Sequence, residues 1–141
     1  SEAEWEKAAS WSPEGKRRYP WGAAWEAGRC NAGGKGTTEV TAFESGASAY
    51  GAVDMLGNVE EWTRTAWGSN PTEAQFTYED YDAYDGRDVE GVEGLGAQMR
   101  VIYRGGSFRS KPEDVSTTQR GNSAPSSKIA WRGFRVVLLV K

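Results

Sequence analysis

Gly51-Ala52-Val53-Asp54-Met55-Leu56-Gly57-Asn58-Val59-Glu60-Glu61-Trp62-Thr63 lies near the centre of a 141-residue chain. Read on its residues, it is a tight turn through Gly57 that Asp54 can cap, followed by Glu61, an acid suited to a core arginine such as Arg135. Around it stand eighteen glycines and seven tryptophans. Many glycines imply many turns and few long helices. Many tryptophans supply the buried area that holds an irregular chain together.

Working outward, the clearest helix signal is Ser1 to Ser10. Ala3, Trp5, Ala8 and Ala9 can share a face there, Ser1 with Glu4 makes a capping box, and Pro13, Gly15 and Pro20 end it. From there to Gly51 the chain is loop-like, broken by Gly33-Gly34 and one strand candidate, Thr38-Glu39-Val40-Thr41-Ala42-Phe43. Residues 73–93 carry eight acids and one base, which reads as a long surface loop because repelling charges oppose packing. Residues 100–135 carry eight bases and two acids, so the chain separates its charge. Met99-Arg100-Val101-Ile102-Tyr103-Arg104 alternates like a strand, and Gly133 to Val140 ends in a β-branched run. The expectation is one compact α+β domain over residues 1–141, rich in loops and of a length able to bury a core.

Composition excludes much chemistry. There is no histidine, which removes Ser-His-Asp and Cys-His catalysis and every His-ligated metal. Cys30 is the sole cysteine, which removes an internal disulfide, a CxxC pair and a Cys-rich zinc site, and leans towards a cytoplasmic setting. The longest apolar run, Val136 to Val140, is far short of the ~18 residues that a membrane span needs. The first residues have neither the charge nor the apolar stretch of a signal peptide. Nucleic acid is not an expected partner: Lys16-Arg17-Arg18 reads as a solvated loop, and the basic segment holds few aromatics besides Phe108 and Trp131. Gly91-Val92-Glu93-Gly94-Leu95-Gly96 has no lysine after it and acids around it, so it is no phosphate loop.

Four segments in order carry a resemblance: Ser1 to Ala9 around Trp5; Tyr19-Pro20-Trp21-Gly22; Gly51 to Thr63; and Arg104-Gly105-Gly106-Ser107-Phe108 with Arg120, Pro125 and Gly133-Phe134-Arg135. Together they resemble the formylglycine-generating enzyme (sulfatase-modifying factor) family, whose fold is a variant of the C-type lectin fold. The resemblance implies a small twisted antiparallel sheet that includes Val101–Tyr103 and Phe134–Leu139, with the helix packing Trp5 and Ala8 against it. It also implies that residues 1–141 form the C-terminal portion of a domain, whose N-terminal strands a retained fragment or partner subunit would supply. A minimal, self-sufficient version of the fold is the alternative.

For chemistry, the resemblance gives an absence and an expectation. Catalytic members oxidise a substrate cysteine through a copper-binding cysteine pair after Gly-Gly-Ser-Phe, and those positions are Ser110 and Val115 here. Neither supplies a thiolate for Cu(I), so copper is not expected. The related iron-dependent sulfoxide synthases take their metal from histidines elsewhere. The family's calcium-binding loop carries over as Asp54 and Glu61 by carboxylate with Gly57 and Val59 by carbonyl, a sensible set for an ion that takes six to eight oxygens. Two readings of this loop stand: a structural calcium, or Asp54 as turn cap with Glu61 on an arginine. Glu60 occupies a position usually held by tryptophan.

Residues 109–132 correspond to the rim and floor of the family's ligand-binding face. The candidate contact residues are Arg109, Ser110, Lys111, Ser116, Thr118, Asn122, Ser123, Ser127, Lys128 and Trp131, mostly adaptable hydrogen-bonding groups. The same arrangement occurs in the variable proteins of diversity-generating retroelements, which diversify surface positions between Gly-Gly-Ser and Gly-Phe-Arg. The expected function is non-catalytic binding of a protein or glycan. The competing reading is an enzyme-like relative with altered or lost oxidase chemistry.

Overall fold

The computed structural model describes residues 1–78, 81, 82, 84–89 and 95–138. Helix α1, Glu2–Ser10, starts where the sequence places it, with the Ser1 hydroxyl accepting from the Glu4 amide and the Glu4 carboxylate returning the bond. Such reciprocal capping satisfies amide groups that the first turn leaves open. The chain then turns back in a two-residue hairpin, β1 (Trp11–Ser12) against β2 (Gly15–Lys16).

The main sheet has four strands in the order β5 (Arg120–Ser123), β4 (Arg100–Arg104), β3 (Glu60–Gly68) and β6 (Arg132–Gly133). The β3–β4 and β4–β5 pairings are antiparallel, and β6 joins β3 in parallel over two residues. This is the expected α+β class. Between Trp62 and Ala66, β3 advances four residues while β4 advances two, a bulge that frees Thr63–Thr65 to bond elsewhere. The Thr63 hydroxyl donates to the Ile102 carbonyl, while the Thr65 hydroxyl accepts from the Glu2 amide and donates to Asp88. The helix is thereby seated on the bulge, with Trp5 and Ala9 in the core beside Tyr19, Cys30, Met55, Leu56 and Val115, and Ala8 partly buried against it.

Three expectations need correcting. Thr38–Phe43 is no strand: Val40–Gly46 is a 3-10 segment, because the Thr38 backbone is bound through its N–H and C=O by the Asn58 side chain. Phe134 to Leu138 is not in the sheet, and Phe134, Val136, Val137 and Leu138 are 72–85% exposed. Among the described residues the C-terminal region pairs with β3 as a strand over Arg132–Gly133; Leu139 lies outside the described residues. The acidic stretch 73–93 does not simply lie on the surface. Arg87 is buried against Asp85 at 2.7 Å, and its carbonyl accepts from the Ala66 amide of β3. One cation among the acids supplies the packing that their repulsion opposes. Positions 90–94 lie outside the described residues, and with them most of the Gly91–Gly96 motif. Among the described residues no helix is long and apolar enough to cross a membrane.

Candidate functional site

The motif turn is built from the inside. Met55 and Leu56 are fully buried, and Asp54 and Asn58 adopt φ of +54° and +58°. Left-handed backbone suits Asp and Asn better than most side chains. Gly57 shares that conformation, and a Cβ there would lie 2.3 Å from the Asn31 carbonyl oxygen, so only glycine fits. Its amide donates to the Gly105 carbonyl, the Asn58 amide donates to Asn31, and the Phe108 amide donates to Asn58. The Asn58 amide side chain closes the knot, bonding Thr38 on both backbone groups and donating to one Asp54 carboxylate oxygen at 3.2 Å. Three distant segments, 31–38, 54–61 and 105–108, thus meet at Asn58.

Glu61 leaves this turn pointing into the core. One carboxylate oxygen accepts from the Trp5 indole N–H at 2.7 Å and from Arg135 Nε at 2.7 Å; the other accepts from Arg135 Nη2 at 2.6 Å. The same Nη2 reaches the Val53 and Asp54 carbonyls at 3.1 and 3.3 Å. Asp54 is less well served. Its second carboxylate oxygen is buried with no partner, and burial pushes its carboxyl above the usual range against the opposing pull of Asn58 and Arg135. Of the positions expected to hold calcium, Glu61 is engaged by Arg135, whereas Asp54 keeps one oxygen without a partner. Glu61 already holds a guanidinium in bidentate fashion, and a second cation beside it would be repelled. The Gly57 and Val59 positions are within the turn, beside one engaged carboxylate, Glu61, and one, Asp54, with an unpartnered oxygen.

The 109–132 segment is built on a different plan. Ser110 accepts from the Ser107 amide at 3.0 Å and closes a turn back to the Ser107 carbonyl. Val115 is fully buried in the core. Thr117 is also buried, its hydroxyl donating to the Arg17 carbonyl at 2.7 Å. Between these anchors Lys111 and Thr118 are exposed and Ser116 is half-buried, with the Ser116 and Thr118 hydroxyls 3.3 Å apart. Asn122 and Ser123 lie in β5, and Asn122 is bound by Arg100 and by the Pro71 carbonyl. Lys128 is exposed, Ser127 turns onto Ala124, and Arg109 stacks on the Trp131 ring at 4.4 Å.

The structure gathers some of these residues and disperses others. Ser110 joins Glu60, Tyr103, Gln119, Arg120 and Gly121 around a cleft of about 130 Å³, while Asn122 turns to Arg100. The Tyr103 ring packs against Gly121, where any Cβ would meet it at 2.2 Å. The Arg132 guanidinium covers Tyr103 at 3.8 Å and pairs with Glu60 at 2.6 Å. Beneath the segment, Arg104 binds Glu2 at 2.9 Å and Glu6 at 2.7 Å, and Arg120 binds Glu2 at 2.8 Å. Sequence reasoning missed these carboxylates. Their signal was present, since Glu2 and Glu6 are spaced i,i+4 on the face that carries Trp5. Cys30 is buried, and burial, with the Asp54 charge behind it, pushes its thiol up to about 11. At neutral pH it stays protonated and weakly nucleophilic.

With this geometry in place, the comparisons decide the lineage. Residues 1–140 match the model of the sulfatase-modifying factor enzyme 1-like domain. The chain belongs to that family. A curated relative, the hercynine oxygenase of Mycolicibacterium smegmatis, is 37% identical over 141 residues, covering 96% of this chain and 32% of that protein. The chain therefore spans about a third of such a relative's length. Among solved structures, PvdO from Pseudomonas aeruginosa aligns with a TM-score of 0.64 at 27% identity, covering 95% of this chain and 49% of the other. Treponema denticola variable protein 1 aligns with a TM-score of 0.60 at 26% identity, covering 95% and 44%.

Proposed function

We propose that this member of the family is a non-catalytic ligand-binding domain that presents residues 109–132 to a protein or glycan. The observation that carries the reading is the fate of the two positions where the family's oxidases hold their cysteine pair. Ser110 spends its hydroxyl on the Ser107 amide, and Val115 is core. Neither can bind Cu(I) as a thiolate does. The outward groups are Arg109, Lys111, Ser116, Thr118, Ser127 and Lys128, with Trp131 as a half-buried aromatic under Arg109. Hydrogen-bonding side chains around an aromatic anchor suit recognition. The likeness to a protein named a variable protein supports a surface that differs between copies. A neighbouring reverse transcriptase gene and a near-copy of the 3′ coding end would establish that.

The alternative, an enzyme-like relative, is favoured by the identity with hercynine oxygenases. One experiment tests the oxidase form of that alternative. A cysteine-containing sulfatase peptide, incubated with the protein, Cu(I) and oxygen, is expected to stay unmodified by mass spectrometry; formylglycine would overturn the binding reading. In parallel, any ligand found on protein and glycan panels is expected to be lost with Arg109→Ala, Lys111→Ala and Lys128→Ala combined, at unchanged melting temperature.

A companion strand or subunit belongs to the same reading. The exposed apolar side chains of Phe134, Val136, Val137 and Leu138 adjoin a cleft of about 360 Å³ whose lining includes Trp5, Ala8, Met55, Trp62, Arg135 and Val137. An extended apolar segment laid there would cover surface that otherwise invites association. Size-exclusion chromatography and dye binding test it: a dye-silent monomer would remove the need for a companion.

A further inference from the structure

We infer that the cleft around Ser110, at one end of strands β3, β4 and β5, is a subsite for one edge of a neutral sugar, held by two neighbouring hydroxyls. The inference rests on the reading of residues 109–132 as a recognition face and commits that face to a glycan. Five side chains around this cleft of about 130 Å³ have hydrogen-bonding capacity to spare. Both Arg132 bonds to Glu60 fall on Oε2, at 2.6 and 2.7 Å, so Oε1 takes no hydrogen bond among the described residues. Among those residues the Tyr103 hydroxyl and the Gln119 side-chain amide make none either. Ser110 accepts from the Ser107 amide and keeps its own hydrogen to donate. Arg120 commits Nε and Nη2 to Glu2 and the Phe76 carbonyl and leaves Nη1 over.

The mixture of groups selects the ligand class. Glu60 only accepts, Ser110 and Arg120 have donors to offer, and Tyr103 and Gln119 do both. A phosphate would face the Glu60 oxygen, and an ammonium would face the Arg120 guanidinium. A hydroxyl donates and accepts, so two adjacent hydroxyls use such a set fully. The charges are matched beforehand, Glu60 by Arg132 and Arg120 by Glu2, so no net field favours an ion. The central donor is also held in place. Tyr103 lies opposite Gly121 in the β4–β5 register, its ring against the glycine and under the Arg132 guanidinium at 3.8 Å. Burial, with the Glu60 charge behind it, raises its phenol, which therefore stays protonated at neutral pH. The space equals that of roughly four waters, which suits one edge of a ring and not a whole one.

Saturation-transfer NMR with methyl glycosides of neutral hexoses tests this. At millimolar concentration at least one glycoside with vicinal hydroxyls is expected to receive saturation, strongest on the protons beside those hydroxyls, and its deoxy analogue none. Tyr103→Phe keeps the ring on Gly121 and removes only the hydroxyl, so it should weaken binding about fivefold at unchanged melting temperature. Should Tyr103→Phe disturb the fold, Gln119→Ala at its exposed position gives the same reading. No transfer to any glycoside would overturn the inference, as would wild-type binding by both variants. Its failure is separable from that of the recognition face. A partner lost with Arg109→Ala, Lys111→Ala and Lys128→Ala combined, yet indifferent to Tyr103→Phe and to competing glycoside, would leave the face standing and overturn the sugar subsite.

Discussion

Residues 54–61 and residues 109–132 are both irregular and polar, and they use their polar groups in opposite directions. In the first, side chains face inward: Asn58 ties three segments together, Glu61 is held by Trp5 and Arg135, and Met55 and Leu56 fill the core. In the second, Val115 and Thr117 alone are fully buried, and the charged side chains between the strands point outward. The difference teaches how an irregular chain can be rigid where it supports and permissive where it presents. Irregularity is not softness when every backbone group has a partner.

This contrast can be broken in order of effect. The largest loss is expected at the ion cluster beneath both regions. Arg104→Met takes one cation from both Glu2 and Glu6, leaving Arg120 on the first and Lys16 on the second, and should cost about 3 kcal/mol, read from chemical denaturation. Gly57→Ala comes next, because its Cβ would meet the Asn31 carbonyl at 2.3 Å; a loss of about 3 kcal/mol is expected from the clash and the left-handed backbone. Val115→Ala, at a fully buried position, should cost about 2 kcal/mol in transfer and cavity terms. If Val115→Ala were neutral, the presenting segment would not be anchored as described.

Cys30 sharpens the comparison through pH. Its thiol rises from 9.0 to about 11 in the folded chain, so the stability it contributes is complete below pH 9. That stability is lost as the pH rises through 9 towards 11, because the unfolded thiol ionises first. The melting temperature should fall across this window more steeply than in Cys30→Ala, and iodoacetamide should label the native thiol slowly at neutral pH. The smallest effect is expected for Lys111→Ala, Thr118→Ala and Lys128→Ala on the exposed surface, each within about 0.5 kcal/mol of wild type. A large loss at any of them would place that residue with the scaffold.

Local signals were legible where one short stretch decides the outcome. The capping box fixed the start of α1, and alternation from Arg100 to Arg104 gave β4 its place. Family motifs located Trp5 in the core and the turn around Gly57. Distant partners were harder to see. Nothing near Thr38 announces that Asn58 will take both its backbone groups, so a β-branched run read as strand becomes a 3-10 segment. Strand β3 was passed over because its bulge interrupts the alternation from Trp62 to Ala66. The Phe134–Leu138 run has strand composition but lacks the second edge that would make it one; propensity supplies a preference, and pairing supplies the strand. At the candidate site, the arginine alternative for Glu61 was readable from charge and position, whereas the cleft around Ser110 needed β4 and β5 to be side by side.

Glu2 ends up gripping Arg104 and Arg120, partners 102 and 118 positions further along. Contacts so far apart close a loop of more than a hundred residues, and the entropy of that closure must be met before the ion pairs form. Helix α1 can complete these ion pairs only once strands β4 and β5 are in place.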